Sequence, residues 1–334
     1  MDVTVPTTEA SNKSNLHCPF ISLNTDGAGN LFLTIVMSIE MIVGLPSNTV
    51  ALWIFWYRMK LWKAYTLFLF NLVLADFLLI ISVPFRIDTH QRGENWVFGS
   101  VWCRVNHFML TVNRSASIAF MTVVALHRYF KVVHPQNCIS RMTRTHACLL
   151  VCLIWTTVIA LSIPLLATDL LHEHGNIVLC RSFSAYKEVP LLLRGQYVAF
   201  ILEFFLPWLL LLYCSVRITC FLRQRQMSGQ KKVRRAIVAV GVISLVFTVC
   251  FMPGVITGLG ALYVQKVHPT DCASYWFFTQ GFKLCIAFTY LNSTLDPVIY
   301  CFSSSEFRDV VKSSIDHICL AKTFTPVNST SSNQ

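Results

Sequence analysis

The sequence predicts an all-α membrane protein: a bundle of seven transmembrane helices with its N-terminus outside the cell. Three observations carry that prediction. Of 334 residues, 54% are hydrophobic and only 13% are charged, about half the charged fraction of an ordinary soluble domain, and the mean hydropathy is +0.57. Seven apolar stretches lie near 31–56, 65–86, 101–132, 146–168, 195–220, 236–263 and 276–302, each reaching the roughly 20 residues that a helix needs to cross a bilayer. More than half of the 27 Lys and Arg then fall on one side of such a bundle, the excess that marks a cytoplasmic face.

The elements follow in order. Residues 1–30 are polar, without the basic start and apolar core of a cleavable signal peptide. They read as an extracellular segment carrying a glycosylation acceptor at Asn12. Similar acceptor patterns at Asn113 and Asn292 lie inside spans, and that at Asn328 lies in the tail, so all three should be inert. The bundle occupies 31–303. Its cytoplasmic links carry Arg58, Lys60 and Lys63, then Arg128, Lys131, Arg141 and Arg144, then Arg217, Arg223, Arg225, Lys231, Lys232, Arg234 and Arg235. Residues 304–334 form the cytoplasmic end, with an amphipathic stretch at 305–318 expected as a short eighth helix and Cys319 as a palmitoylation candidate. Trp62, Trp96, Trp102 and Trp276 fall where an interfacial aromatic belt would place them. The net charge of +11 is thus mostly topological, with attraction to anionic membrane lipid and acidic partners and no indication of nucleic-acid binding.

Ionisable groups inside a membrane are costly and become functional candidates. Here they are Asp76, Arg114, Glu203, Lys283 and Asp296, with Glu40 towards the outer part of the first span. At about 100° per residue, Cys103, Arg114, Ser117 and Arg128 share one stripe of the third helix. Lipid would leave those groups unpaired, so the stripe must face protein or water. Arg114 lies about 16 Å below Cys103 at 1.5 Å per residue, a depth suited to the floor of a pocket open to the outside. In the last span Asn292, Asp296 and Tyr300 are spaced i, i+4, i+8 and share one face.

These residues sit within a larger pattern. Gly-Leu-Pro-Ser-Asn around Asn48, Leu-Val-Leu-Ala-Asp ending at Asp76, Trp155, His-Arg-Tyr at 127–129, Pro207, Cys-Phe-Met-Pro at 250–253 and Asn-Ser-Thr-Leu-Asp-Pro-Val-Ile-Tyr at 292–300 occur in this order. The chain resembles a rhodopsin-like (class A) G-protein-coupled receptor across all seven spans. Asn-Arg-Ser-Ala-Ser at 113–117, Cys-Arg-Ser-Phe-Ser at 180–184, Leu-Glu-Phe-Phe-Leu-Pro at 202–207 and Phe-Thr-Tyr-Leu-Asn-Ser at 288–293 are most similar to the hydroxycarboxylic acid and oxoeicosanoid receptor group.

That resemblance implies that Arg114 binds a ligand carboxylate, assisted by Ser182 and Tyr290, with Leu110 and Phe183 completing the set. A guanidinium fork suits a carboxylate in low dielectric; the alternative is that Arg114 pairs with Glu203 and binds nothing. Receptors of the group that prefer small acids can carry a further arginine above the helix-6 proline. Here that position is Gly258, which removes a cation, leaves space and leans towards a longer, lipid-like acid. Lys283 could replace the missing charge or could simply snorkel to the interface. The resemblance also implies disulfides Cys103–Cys180 and Cys18–Cys272. It implies a sodium site at Asp76, Asn113, Ser117, Asn292 and Asp296 as the one non-protein component, with a water-filled network as the alternative.

Signalling would run through His127, Arg128 and Tyr129, through Phe251 and Pro253, and through Asp296, Pro297 and Tyr300. The implied partners are a heterotrimeric G protein of the inhibitory (Gi/o) class and arrestin. Where an acid usually precedes the inner arginine stands His127, and Val233 replaces an acid at the base of helix 6, so measurable basal activity is expected. The competing functions are a receptor for another lipid or a nucleotide-like anion, and an anion transporter. The odd span count and the lack of internal repeats speak against the transporter. No His-Glu-x-x-His or Gly-x-Ser-x-Gly pattern suggests an enzyme.

Overall fold

In a computed structural model, residues 27–58, 63–174, 177–180, 191–224, 231–304 and 307–313 are described; the side chains of 174, 191–199, 222, 231–236 and 303 are not. Seven long helices run as α1 (Gly27–Trp53), α2 (Ala64–Gln91), α3 (Gly99–Val133), α4 (Arg144–Ala167), α5 (Leu191–Gln224), α6 (Lys231–Val267) and α7 (Cys272–Ser303). A single π-helical segment, Ile54–Arg58, continues α1. A hairpin of β1 (Leu171–His174) and β2 (Ile177–Cys180), antiparallel with Leu171 opposite Cys180, joins α4 to α5.

The helices sort by burial. In α1 the buried positions Leu33, Met37, Glu40, Gly44, Asn48 and Ala51 recur every three or four residues, so one stripe faces protein. Leu31, Ile35, Ile39 and Ile42 on the other side are exposed, as lipid-facing positions must be. The most apolar stretches of α2 and α3 are 67% and 61% buried, against 22% for α4 and α5, so α2 and α3 are central and the other two are peripheral. Without a hydrophobic drive between helices in lipid, side-chain hydrogen bonds and small residues set the contacts. Asn48 Nδ2 donates to the Ser293 carbonyl at 2.8 Å, Trp155 Nε1 to Asn71 Oδ1 at 2.9 Å and Trp208 Nε1 to Thr248 Oγ1 at 3.2 Å.

Helices α6 and α7 share the most extensive contact, where glycine on one meets a ring on the other. A Cβ at Gly260 would lie 2.4 Å from the Phe278 ring, and one at Gly258 would lie 3.2 Å from Phe282. Prolines 46, 84, 164, 207, 253 and 297 lie inside helices, each removing one backbone hydrogen bond within a packed bundle that tolerates the loss.

Among the described residues, six helices are long and apolar enough to cross a membrane; α7 is the seventh of the bundle without reaching that hydropathy. The reason is its polar inner face: Asn292, Ser293 and Asp296 are fully buried among the other helices, so α7 needs less apolar surface than a helix that fronts lipid. The expected eighth helix is present over 307–313, shorter in the described residues than the predicted 305–318. Ser304 Oγ accepts from the Phe307 amide at 3.1 Å, and the buried Phe307 ring stacks on Phe55 at 5.2 Å.

Trp96 departs from the aromatic-belt expectation. It is only 2% exposed, packed with Cys103, Leu165, Leu170 and Cys180. Its indole donates to the Gly99 carbonyl at 2.8 Å and its amide to the Val178 carbonyl at 2.7 Å. The ring seats the loop after α2 against the hairpin instead of facing headgroups. Trp276 is 43% exposed, in keeping with an interface.

Candidate ligand site and its supports

A cavity opens between α3, α5, α6 and α7. Its wall on α3 runs from His107 to Ile118, and α5 contributes Phe200, Glu203 and Phe204. Helix α6 adds Phe251, Gly254 and Val255, and α7 adds Phe282, Cys285, Ile286 and Thr289. Leu110 and Arg114 both line it.

Arg114 is poorly neutralised. Its Nη2 makes one long contact of 3.5 Å with Glu203 Oε2, while its buried Nε has no hydrogen-bond partner. That single contact is not the bidentate fork by which arginine usually holds a carboxylate. The same Glu203 oxygen accepts a tighter bond, 2.8 Å, from Ser115 Oγ. The guanidinium also lies 4.3 Å over the Phe200 ring, an electrostatic attraction that leaves N–H groups available.

The other expected ligand residues are placed differently. Tyr290 does not line the cavity; it is 2% exposed and packs behind it with Met37, Leu79 and Val83 of α1 and α2. Lys283 is not in the lining either, because the loop after α2 holds it: its Nζ contacts Glu94 at 3.0 Å and Asn30 Oδ1 at 2.8 Å. The space expected above the helix-6 proline is filled, since the Phe282 ring packs onto Gly258. Ser182, Phe183, Asn12, Cys18 and Cys319 lie outside the described residues. Cys103 is bonded to Cys180 across 77 residues. Cys272 is also disulfide-bonded.

One polar network escaped the reading of the sequence. Helix α2 continues to Gln91, so Arg86 lies inside it and not at its end. Arg86 Nε donates to Asn106 Oδ1 at 2.5 Å, and Arg86 Nη2 lies 3.2 Å from His107 Nδ1. His107 Nε2 is 3.3 Å from the Cys180 carbonyl. Arg86 Nη2 also lies 3.1 Å from His107 Nε2, so the ring is held between Arg86 and the Cys180 carbonyl, and which nitrogen accepts depends on the tautomer. The signal for this network was the helical pattern running on past Pro84.

At the outer mouth, Gly93 and Glu94 both adopt positive φ, 67° and 73°. This reversal carries the Glu94 amide back to the Thr89 carbonyl at 2.9 Å and its carboxylate onto His90 and Lys283. Burial alone would raise the Glu94 carboxyl, but the His90 hydrogen bond and the Lys283 and His90 charges hold it down at about 2. A depressed carboxyl contributes stability that is complete above its unfolded value, near 4.3, and is lost as pH falls towards the folded value. The purified protein should therefore unfold at a higher temperature than Glu94→Gln at pH 7. The gap in thermal unfolding should close only below roughly pH 4.

Deeper in the bundle the expected ion-site residues converge. Asp76 Oδ1 accepts from Asn113 Nδ2 at 3.2 Å and from Ser117 Oγ at 3.4 Å, and Asn292 Nδ2 donates to Asp296 Oδ2 at 3.3 Å. Tyr300 adds a contact that was not foreseen, donating to Asp76 Oδ2 at 3.0 Å. Buried oxygens of Asn113, Asn292 and Asp296 have no partner, a set of hard acceptors that fits a small cation. At the inner end Tyr65 lies tilted against His127 at 6.2 Å, and the Arg128 guanidinium sits 4.8 Å over the same Tyr65 ring. Tyr129 packs against Tyr213 at 5.8 Å. Phe251 links the levels: it lines the cavity and meets Phe247 edge to face, and Phe247 stacks on Phe204.

The family model for 7 transmembrane receptors (rhodopsin family) matches residues 47–300. The chain belongs to the rhodopsin family of receptors. Hydroxycarboxylic acid receptor 2 of Rattus norvegicus is 42% identical over 289 residues, 86% of this chain and 79% of the relative. Oxoeicosanoid receptor 1 of Homo sapiens is 38% identical over 276 residues, covering 83% and 70%. The 12-(S)-hydroxy-5,8,10,14-eicosatetraenoic acid receptor of Mus musculus is 35% identical over 284 residues, covering 83% and 88%. The protein is thus a class A G-protein-coupled receptor of this group, a multi-pass plasma-membrane protein and not an enzyme. The cavity is the receptor's candidate ligand site, and the disulfide ends of α3 and β2 mark its extracellular side, where such bonds persist.

Proposed function

We propose that the receptor binds a carboxylic acid, with the carboxylate on Arg114 and the hydrocarbon body among Leu110, Phe200, Phe204, Phe251 and Ile286. The observation that carries this reading is a guanidinium on the cavity wall with one long internal contact and an unpartnered Nε. The names of the relatives support the ligand class, a hydroxycarboxylic acid or an oxo- or hydroxy-fatty acid. Among the described residues, a lining that is mostly apolar around Arg114 favours the longer acid. Binding rearranges α3, α5 and α6 around Arg114, Glu203 and Phe251. The change passes through Pro253 and the Asp296–Pro297–Tyr300 segment to the Arg128 end, opening a basic cleft to an inhibitory (Gi/o) G protein and later to arrestin. A sodium ion held by Asp76, Asn113, Ser117, Asn292 and Asp296 would offset the two buried carboxylates and favour the resting bundle.

The test is inhibition of cyclic AMP in cells expressing the receptor, with 3-hydroxybutyrate and 12-hydroxyeicosatetraenoate as probes, each against its methyl ester. The longer acid should be the more potent. Its ester should lose roughly 10- to 100-fold, the weight of a charge-assisted hydrogen bond of about 1.5–3 kcal/mol. Esters as potent as the acids would overturn the reading.

A further inference from the structure

The inner end of α3 carries three basic side chains within about one turn, His127, Arg128 and Lys131. His127 stands where an acid usually restrains the arginine that follows. What meets all three is one ring. Tyr65 is the second residue of α2 and only 7% exposed. The Arg128 guanidinium sits 4.8 Å over that ring and the Lys131 ammonium 5.9 Å over it. The His127 ring lies against it at 6.2 Å, tilted by 31°. Both cations are within the roughly 6 Å over which the negative face of an aromatic ring attracts a charge. Arg128 and Lys131 stand i, i+3 on one helix, so their charges repel, and a ring that attracts both offsets that cost.

We propose that Tyr65 restrains Arg128 in the resting receptor, an aromatic substitute for the acid that His127 replaces. The proposal rests on the reading that signalling passes through the Arg128 end. Helix α2 packs chiefly on α1, α3, α4 and α7. A guanidinium drawn over Tyr65 is therefore held on the α2 side of α3, away from α5 and α6, whose rearrangement opens the cleft. To point into that cleft, Arg128 must leave the ring.

The ring is a fixed platform for this contact. Tyr65 is packed in the same buried core as Leu69, Val124 and Ala125, so the flexible arginine stem moves while the ring stays. A cation–π contact is also weaker than the loss incurred by breaking a buried ion pair. The restraint therefore sets a smaller gap between resting and active states than an acid would, and it keeps basal activity measurable but bounded. Tyr65 acts here through Arg128, as a positioning residue.

The experiment is basal nucleotide exchange, without added acid, by purified receptor in nanodiscs. Inhibitory, stimulatory and phospholipase-coupled G-protein trimers are compared side by side. Tyr65→Leu keeps apolar bulk but removes the ring, and its basal exchange should exceed that of wild type by at least about threefold. Tyr65→Phe keeps the ring face and should stay within about twofold of wild type. A graded readout separates attraction from packing. Phenylalanines with one, two or three ring fluorines in place of Tyr65 keep nearly the same shape while draining the negative face, so exchange should climb with each fluorine. A purely structural role for Tyr65 would leave that series flat. Should Tyr65→Leu fail to fold, the fluorinated series decides alone. Exchange that is flat across the series, or a folded Tyr65→Leu receptor at the wild-type rate on every trimer, would overturn the proposal. A rise on another trimer but not on the inhibitory one would keep the restraint and overturn only the choice of G-protein class.

Discussion

Arg114→Ala abolishes the response of the receptor to its acid, with surface expression retained. The expected loss is large for two reasons. The ligand's charge-assisted hydrogen bonds disappear, and the carboxylate would then enter an apolar cavity with no cation to meet it. Removing one partner of a buried ion pair costs about 3–5 kcal/mol, or roughly 100- to 1,000-fold and more in potency. Arg114→Lys keeps the charge but replaces the planar fork with a point donor on a flexible stem. It should fall between, about 10- to 100-fold weaker than wild type. The measurement is the concentration of 12-hydroxyeicosatetraenoate that half-inhibits cyclic AMP, with surface receptor counted through an extracellular tag. Equal potency of Arg114→Ala and wild type would mean that the 3.5 Å contact with Glu203 is the arginine's whole purpose.

Much of the scaffold was readable from the chain because membrane physics leaves few options. Long apolar stretches have only one way to cross, and basic loops have only one side to stay on, so the helix count and the polar stripe on α3 follow from residue order. What could not be read is what depends on rings and turns meeting in space. Gly258 looked like an opening, yet Phe282 from the next helix occupies it; a glycine reports a missing side chain, and only packing reports what fills the gap. Lys283 looked like a spare cation, yet two residues at positive φ fold Glu94 back to meet it. Arg86 was missed because helix ends are set by backbone hydrogen bonds that composition does not reveal, and α2 runs five residues past it. Tyr290 shares a helix with the cavity wall but points its ring at α1 and α2.

Cys103→Ser should be the second most damaging change, and its effect bears on how the hairpin is held against α3. The bond closes a loop of 77 residues, for which a free-chain estimate gives about 4.5 kcal/mol. That figure is an upper bound here, since α3 and α4 remain anchored in the bilayer when the loop is released. The local consequences are more certain to be felt. Cys180 ends β2, and its carbonyl meets His107 of the cavity wall at 3.3 Å. The same hairpin receives the first outer loop through Val178, which accepts from the Trp96 amide at 2.7 Å and donates to Asn95 Oδ1 at 3.0 Å. Once Cys180 is free, these contacts lose their common anchor and His107 loses one of its two partners. Surface expression should fall several-fold, consistent with a loss of about 2–4 kcal/mol. The receptor that does reach the surface should bind labelled 12-hydroxyeicosatetraenoate at least about tenfold more weakly. Cys180→Ser and the double variant should match Cys103→Ser, because all three remove one bond and coupled sites do not add. Cys272→Ser breaks a different bond at the head of α7, so its loss should add to theirs. A Cys103→Ser receptor with wild-type affinity would mean that Trp96 and the strand pairing hold the hairpin against α3 without the covalent tie.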